Sequence, residues 1–331
     1  MTFPPVATVV LGWVGLPCFI SLSGCKLFAR WQVNRSLGQS IREEGPQGHH
    51  SKQGTPTAGG AVILLAWLIS AFLLATPDFW QQEVWLALLA TVALGAVGLI
   101  DDGLKVFQGK NNGISGYVKL GVQAVAGLAI GLWLWQQPFH QGNSQFFNGE
   151  WLLPLGIGFS VLAALAVTST SNAVNLTDGL DGLAATTLMI SFIALGLLLP
   201  FSDPLALLCW GAVGAIAGFW PHNKYKARLF MGDTGSLALG GLLAAVCLLR
   251  GLEWWILPFG IVFVCEALSV CLQVTSFKLT GKRLFKMSPL HHHFELCGWS
   301  EPTIVTVFSA VQILGALVGA WLLWQQTRLP L

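Results

Sequence analysis

Residues 84–102 read VWLALLATVALGAVGLIDD, an uncharged run from Val84 to Ile100 closed by Asp101 and Asp102. About 20 apolar residues cross the roughly 30 Å hydrocarbon core of a bilayer as a helix. The run is apolar all round and lacks the period-2 alternation of a barrel strand. The same texture recurs in both directions, giving candidate spans at 7–28, 57–76, 84–104, 117–136, 153–174, 183–200, 204–221, 235–250, 254–276 and 303–325. The chain has 331 residues, 54% hydrophobic and only 10% charged, against about 25% charged in soluble domains. Its 15 Trp suit the interfacial belts of a bilayer better than one small core. The expectation is an all-α integral membrane protein, one polytopic domain over 1–331 with about ten transmembrane helices.

Ten spans put both termini on one side, and the basic residues then sort. Lys26, Arg30, Arg35, Arg42 and Lys52 flank spans one and two. Lys105, Lys110 and Lys119 follow span three, Lys224, Lys226 and Arg228 span seven, and Lys278, Lys282, Arg283 and Lys286 span nine. Only Arg250 and Arg328 fall opposite. The positive-inside rule makes the rich face cytoplasmic and both termini external.

Several function classes fall away. With 17 basic and 15 acidic residues there is no basic face for nucleic acid. No Walker A string and no G-x-G-x-x-G occurs. The seven cysteines lie mostly in apolar segments without paired spacing, against disulfides or a zinc ribbon. Residues 1–25 carry no Lys or Arg, so the first apolar segment is expected to stay as a span and not be cleaved.

The acids carry the chemistry. Asp78, Glu83, Glu150, Asp203 and Glu253 fall in external loops, where they are expected only to solvate them. Asp101, Asp102, Asp178, Asp181 and Asp233 gather at cytoplasmic span ends. A carboxylate costs about 2.5–3.5 kcal/mol at helix centre on insertion scales, so five together near the hydrocarbon call for cations. Lys105, four residues after Asp101, can reach it on one helix face. The rest of the charge suits a hard divalent cation, and oxygen-only ligands favour magnesium.

The loops add matching groups. Residues 52–60, KQGTPTAGG, are small and hydroxyl-rich. Residues 172–182, NAVNLTDGLDG, put Asn172, Asn175, Asp178 and Asp181 where a span ends, on backbone tolerated at membrane depth only beside a cavity or protein. Residues 230–236, FMGDTGS, repeat acid, glycine and hydroxyl after Asn223 and Lys224. In PLHHHFE at 289–295, anion binding by His291, His292 and His293 is favoured over zinc or copper, because adjacent side chains fan apart on a helix. Glu266, inside span nine, is an intramembrane ionisable group whose role stays open between function and structure.

Four strings, Asp101-Asp102-x-x-Lys105, residues 172–184, residues 230–241 and residues 289–301, resemble the phospho-N-acetylmuramoyl-pentapeptide transferases. The first three are shared across the wider superfamily of polyprenyl-phosphate sugar-1-phosphate transferases, and the triple histidine points to the muramoyl-pentapeptide branch. The resemblance implies magnesium-dependent transfer of phospho-MurNAc-pentapeptide from UDP-MurNAc-pentapeptide to undecaprenyl phosphate, giving lipid I and UMP. It implies a ten-span fold in the bacterial cytoplasmic membrane, often dimeric, with the site in a cytoplasmic cleft.

By the same resemblance Asp233 is the magnesium ligand, and one of Asp101 and Asp102 deprotonates the lipid phosphate. Asp178 and Asp181, with Asn172 and Asn175, line the nucleotide pocket. Asn223, Phe230 and Gln273 take uridine-pocket positions. Lys52, Lys105 and Lys119 face phosphates, and His291, His292 and His293 line the cleft. Direct attack by the lipid phosphate is the expected path, with a two-step route through an aspartyl-phosphate left open. Ala58 stands where many members carry Met. A sister transferase acting on UDP-GlcNAc is the nearest alternative. A transporter is disfavoured, since no internal repeat is visible and the acids lie at one end of the spans.

Overall fold

The computed structural model describes residues 6–38, 52–108, 113–146 and 152–326. Arg42, Lys110, Glu150, Arg328 and both termini lie outside the described residues. Among the described residues twelve α-helices follow in order: α1 Val6–Asn34, α2 Gly59–Leu74, α3 Gln82–Gln108, α4 Gly116–Gln136, α5 Phe159–Thr177, α6 Leu183–Leu198, α7 Pro204–Asn223, α8 Gly232–Leu249, α9 Ile256–Phe259, α10 Ile261–Thr280, α11 Leu290–Glu295 and α12 Glu301–Gln326. One short antiparallel pair, β1 Asn143–Gln145 with β2 Leu152–Pro154, joins α4 to α5. The all-α expectation holds.

Among the described residues, eight helices are long and apolar enough to cross a membrane. The second and sixth expected spans are α2 and α6, apolar helices of 16 residues each. At 1.5 Å per residue these reach about 24 Å. Large apolar side chains such as Leu65, Leu89, Leu165 and Leu317 point outward, as a helix surface facing lipid requires. Polar side chains inside the helices satisfy themselves locally: Thr91, Thr177 and Thr187 donate to carbonyls four residues back.

The ninth expected span, 254–276, is interrupted. A 3₁₀ turn at Glu253–Trp255 leads into the four residues of α9, and Gly260 separates these from α10. The break is held from outside. Val262 N–H donates to Gln312 Oε1 on α12, and Ser191 Oγ and Gln312 Nε2 both donate to the Phe259 carbonyl. Backbone groups that a continuous helix would pair internally are paired across helices.

Helix α8 is the axis of the bundle, with Thr234 to Leu249 all buried. It packs most extensively on α3 and α5, and also on α2 and α4. Small residues permit the closest approaches. A Cβ at Gly60 would lie 2.0 Å from the Gly235 nitrogen, and one at Gly98 would lie 2.3 Å from the Asp233 carbonyl oxygen. Gly98 therefore brings the Asp101–Asp102 end of α3 against the start of α8.

At the other end of these helices one expectation fails. Arg250 donates through Nε and Nη2 to both oxygens of Asp203, at 2.6 and 2.7 Å, and pairs with Glu83. Asp203 also caps α7 through Leu205 N–H. Glu253 is buried and accepts from Ser144 Oγ at 2.6 Å. These acids are structural clamps and not loop-solvating groups. Burial works against the Arg250 charge, but Asp203 and Glu83 more than offset it and hold its pKa above the ordinary value.

Candidate active site

Four segments converge at one end of the bundle: the last turns of α3, the first turn of α4, the end of α5 and the start of α8. Asp102, nearly fully buried, accepts from Asp233 N–H and Thr234 N–H at 3.0 Å each and from Thr234 Oγ1 at 2.6 Å. It thereby satisfies donors that the first turn of α8 leaves without helical partners. Gly232 has φ of +75°, and a Cβ there would lie 2.5 Å from Asp102 Oδ2, so this cap requires glycine. Asp102 is a cap for the helix that carries Asp233.

Asp101 is also buried. Its Oδ1 accepts from Ile114 N–H at 2.6 Å and lies 2.9 Å from Lys119 Nζ, while Oδ2 lies 2.6 Å from Lys105 Nζ. The expected contact between Asp101 and Lys105 is present. Both lysines reach onward to Asp233 Oδ2, Lys119 at 2.5 Å and Lys105 at 3.5 Å. Asn175 donates to Asp233 Oδ1 at 3.0 Å and to Ser236 Oγ at 2.8 Å. The site is layered. Asp101 and Asp102 lie beneath, while Asp233, Lys105 and Lys119 keep partly exposed side chains at the open side.

Asp178 ends α5 and accepts from Gly232 N–H. Burial, then the Asp233 and Asp102 charges, push its carboxyl well above the ordinary range. Three carboxylates, Asp101, Asp102 and Asp233, thus meet two lysines beside a fourth carboxyl that burial disfavours as a charge, an excess of negative charge that fits a bound cation. Asp101, Asp102 and Asp233 can each offer one oxygen with all three within 4.8 Å. All three already accept hydrogen bonds or ion pairs within the protein, and Asp233, with 16% of its side chain exposed against 0% for Asp101, is the one open to a ligand. An all-oxygen donor set fits magnesium or another hard cation.

Asp181 stands apart from that cluster. Its Oδ1 pairs with Lys52 at 2.8 Å, Lys52 reaches Glu301 at 2.7 Å, and Asp181 Oδ2 accepts from Ala227 N–H. Burial lowers the Lys52 pKa, but hydrogen bonds to Asp181 and Glu301 outweigh it and hold the pKa above the ordinary value. Glu301 is the residue that sequence reading missed as a site member. It closes the 289–301 string, but its partner lies 249 positions away, and nothing in that string ties it to Lys52.

Three expected pocket residues are engaged with the protein itself. Asn172 donates to Gln123 Oε1 and the Thr168 carbonyl, tying α5 to α4. Asn223 accepts from Gly182 N–H and donates to the Leu229 carbonyl. Gln273 accepts from Leu284 and Phe285 N–H and donates to the Phe285 carbonyl, holding the segment after α10. Phe230 is half-buried, with its backbone bonded to Pro56 and Gly59. The histidines divide. His291 is buried against Glu266, His292 pairs with Glu295 at 2.7 Å, and His293 Nδ1 accepts from Lys286 N–H.

The family described as glycosyl transferase family 4 matches residues 84–251, the stretch that carries Asp101, Asp102, Asp178 and Asp233. The phospho-N-acetylmuramoyl-pentapeptide-transferase of Enterococcus hirae is 41% identical over 313 residues, covering 93% of this chain and 96% of that protein. The chain belongs to the phospho-N-acetylmuramoyl-pentapeptide-transferase family. Proteins of the same name from Bacillus thuringiensis (strain Al Hakam) and Bacillus cereus (strain AH187) are each 42% identical over 322 residues, covering 93% of this chain and 97% of theirs. The matched lengths take in the Lys52–Asp181–Glu301 group and the histidine string as well as the carboxylate cluster, so a phospho-N-acetylmuramoyl-pentapeptide-transferase reading covers both halves of the site.

Proposed function

We propose that this protein transfers phospho-MurNAc-pentapeptide from UDP-MurNAc-pentapeptide to undecaprenyl phosphate, releasing UMP and forming lipid I. An oxygen of the lipid phosphate bonds to the sugar-linked phosphorus, and the bond from that phosphorus to UMP breaks. The observation that carries this reading is the layered cluster in which Asp101 aims Lys105 and Lys119 at the open side beside Asp233. Phosphoryl transfer needs chiefly positioning and charge stabilisation, and two fixed cations over a carboxylate cluster supply both. The relatives' shared name favours this donor over UDP-GlcNAc.

Magnesium is the proposed cofactor, held by Asp233 with Asp101 and Asp102 behind it. When bound it would offset charge on the phosphate oxygens. Lys105 and Lys119 bind and orient phosphates, and Lys52 does so from the neighbouring group once released from Glu301. Asp102 keeps the start of α8 in register. Direct displacement is favoured, because Lys105, Lys119 and Asn175 engage Asp233, and the two lysines with Ile114 N–H engage Asp101.

The topology we propose has ten spans, α2 and α6 included, with both termini external. It places the chain in the bacterial cytoplasmic membrane, as a homodimer, with the site facing the cytoplasm. The one-sided distribution of Lys and Arg supports that orientation.

The test is UMP release by detergent-purified protein given undecaprenyl phosphate and magnesium. Release from UDP-MurNAc-pentapeptide that EDTA abolishes is the expected result. Release from UDP-GlcNAc alone would move the protein to a sister branch, and release indifferent to EDTA would remove the cation.

A further inference from the structure

Glu266 on α10 and His291 at the start of α11 are both buried within the bundle, with no more than 1% of either side chain exposed. Glu266 Oε1 accepts from the His291 backbone N–H at 3.2 Å and lies 3.1 Å from His291 Nδ1. An Oε1 that accepts the backbone hydrogen and carries no proton of its own can only accept from the ring as well, which makes Nδ1 the donor. The other ring nitrogen has a different neighbour. His291 Nε2 is buried with no hydrogen-bond partner among the described residues and abuts Gly179, where a Cβ would lie 2.3 Å away. Gly179 sits between Asp178, which faces the carboxylate cluster, and Asp181, which holds Lys52.

We propose that Glu266 is a positioning residue: it fixes His291 in the tautomer protonated on Nδ1, so that the bare Nε2 supports the 178–182 turn and sets the reach of Asp178 and of Lys52. A carboxylate behind an imidazole commonly fixes tautomer and ring orientation in this way. His291 thereby differs in task from His292 and His293, which are tied to Glu295 and Lys286. The inference deepens the transferase reading and rests on it for the kinetic part of its test.

The test has two readouts. Nitrogen NMR on histidine-labelled protein, with the His291 signal assigned by its loss in His291→Gln, is expected to show protonated Nδ1 and bare Nε2. A His291 protonated on Nε2 alone overturns the proposal without any need for a folded Glu266 variant. Glu266→Gln, close in shape, is expected to mix the tautomers and raise KM for the UDP-linked donor on the order of tenfold to a hundredfold, the usual cost when a histidine loses its orienting partner. KM for the lipid phosphate should stay put, and Glu266→Asp should recover part of the loss. An unchanged donor KM in Glu266→Gln refutes the positioning role. Gly179→Ala should raise the same donor KM, and its effect should not add to that of Glu266→Gln; full additivity counts against the coupling. If wild-type protein releases no UMP, the transferase reading fails, while the tautomer is still read directly.

Discussion

Helices α3 and α8 run side by side and carry charge clusters at both ends, with opposite outcomes. At one end Arg250 donates to both oxygens of Asp203 and to Glu83, and Asp203 also caps a helix. A planar guanidinium matches a carboxylate in two places at once, and the cluster is closed. At the other end two lysines, which are single-point cations, share Asp101 and Asp233, while Asp102 adds a carboxylate that neither covers. The difference lies in arrangement more than in ingredients. A cluster whose charges are matched inside the protein holds helices together, and one left with surplus acid and partly exposed lysine heads is available to a ligand.

The comparison breaks most visibly if the open end is not the chemical one. Asp233→Asn is expected to lower the rate of UMP release about a thousandfold, the upper end for removing one fixed electrostatic group; a variant within a few-fold of wild type would dismiss Asp233 from the site. Lys119→Met should cost about a hundredfold by the same reasoning, measured at saturating donor. Arg250→Met tests the closed end: it should cost about 3 kcal/mol of stability by leaving buried acids unpaired, with the rate per folded molecule retained. Urea or thermal unfolding alongside UMP release separates the two, and a lost rate in a fully folded Arg250→Met protein would erase the distinction.

The smallest expected effect is one of pH. Asp181 and Glu301 hold the Lys52 pKa above its ordinary value of 10.5. Stability from this group is therefore complete below that ordinary value and is lost as pH rises through the raised one. In Glu301→Gln one supporting partner is gone, so the stability lost at alkaline pH should be smaller and its loss complete at a lower pH, with the onset unchanged. Coincident profiles for the two proteins would show that Glu301 does nothing for Lys52.

Hydropathy made the helices legible, because each long apolar run has one way to satisfy its backbone in lipid. It also made legible which acids stand at span ends, and the i, i+4 spacing announced the pair Asp101–Lys105. What stayed hidden depends on contacts between distant segments. Nothing near Arg250 names Asp203 and Glu83 as its partners, and nothing near Lys52 names Glu301. The break at Gly260 was invisible because Gln312, fifty residues on, supplies the missing hydrogen bond to Val262. Amides such as Asn223 and Gln273 look like ligand readers in sequence, yet their hydrogen bonds here go to backbone groups of the protein.

The burial of α8 has a consequence for how this protein senses its surroundings. From Thr234 to Leu249 the helix touches other helices and not the bilayer. Changes in acyl-chain length or lipid order therefore act first on outer helices such as α12, much of whose surface is exposed. Backbone amides along α8 should be among the last to exchange with solvent deuterium, and the carboxylates anchored at its start inherit that insulation.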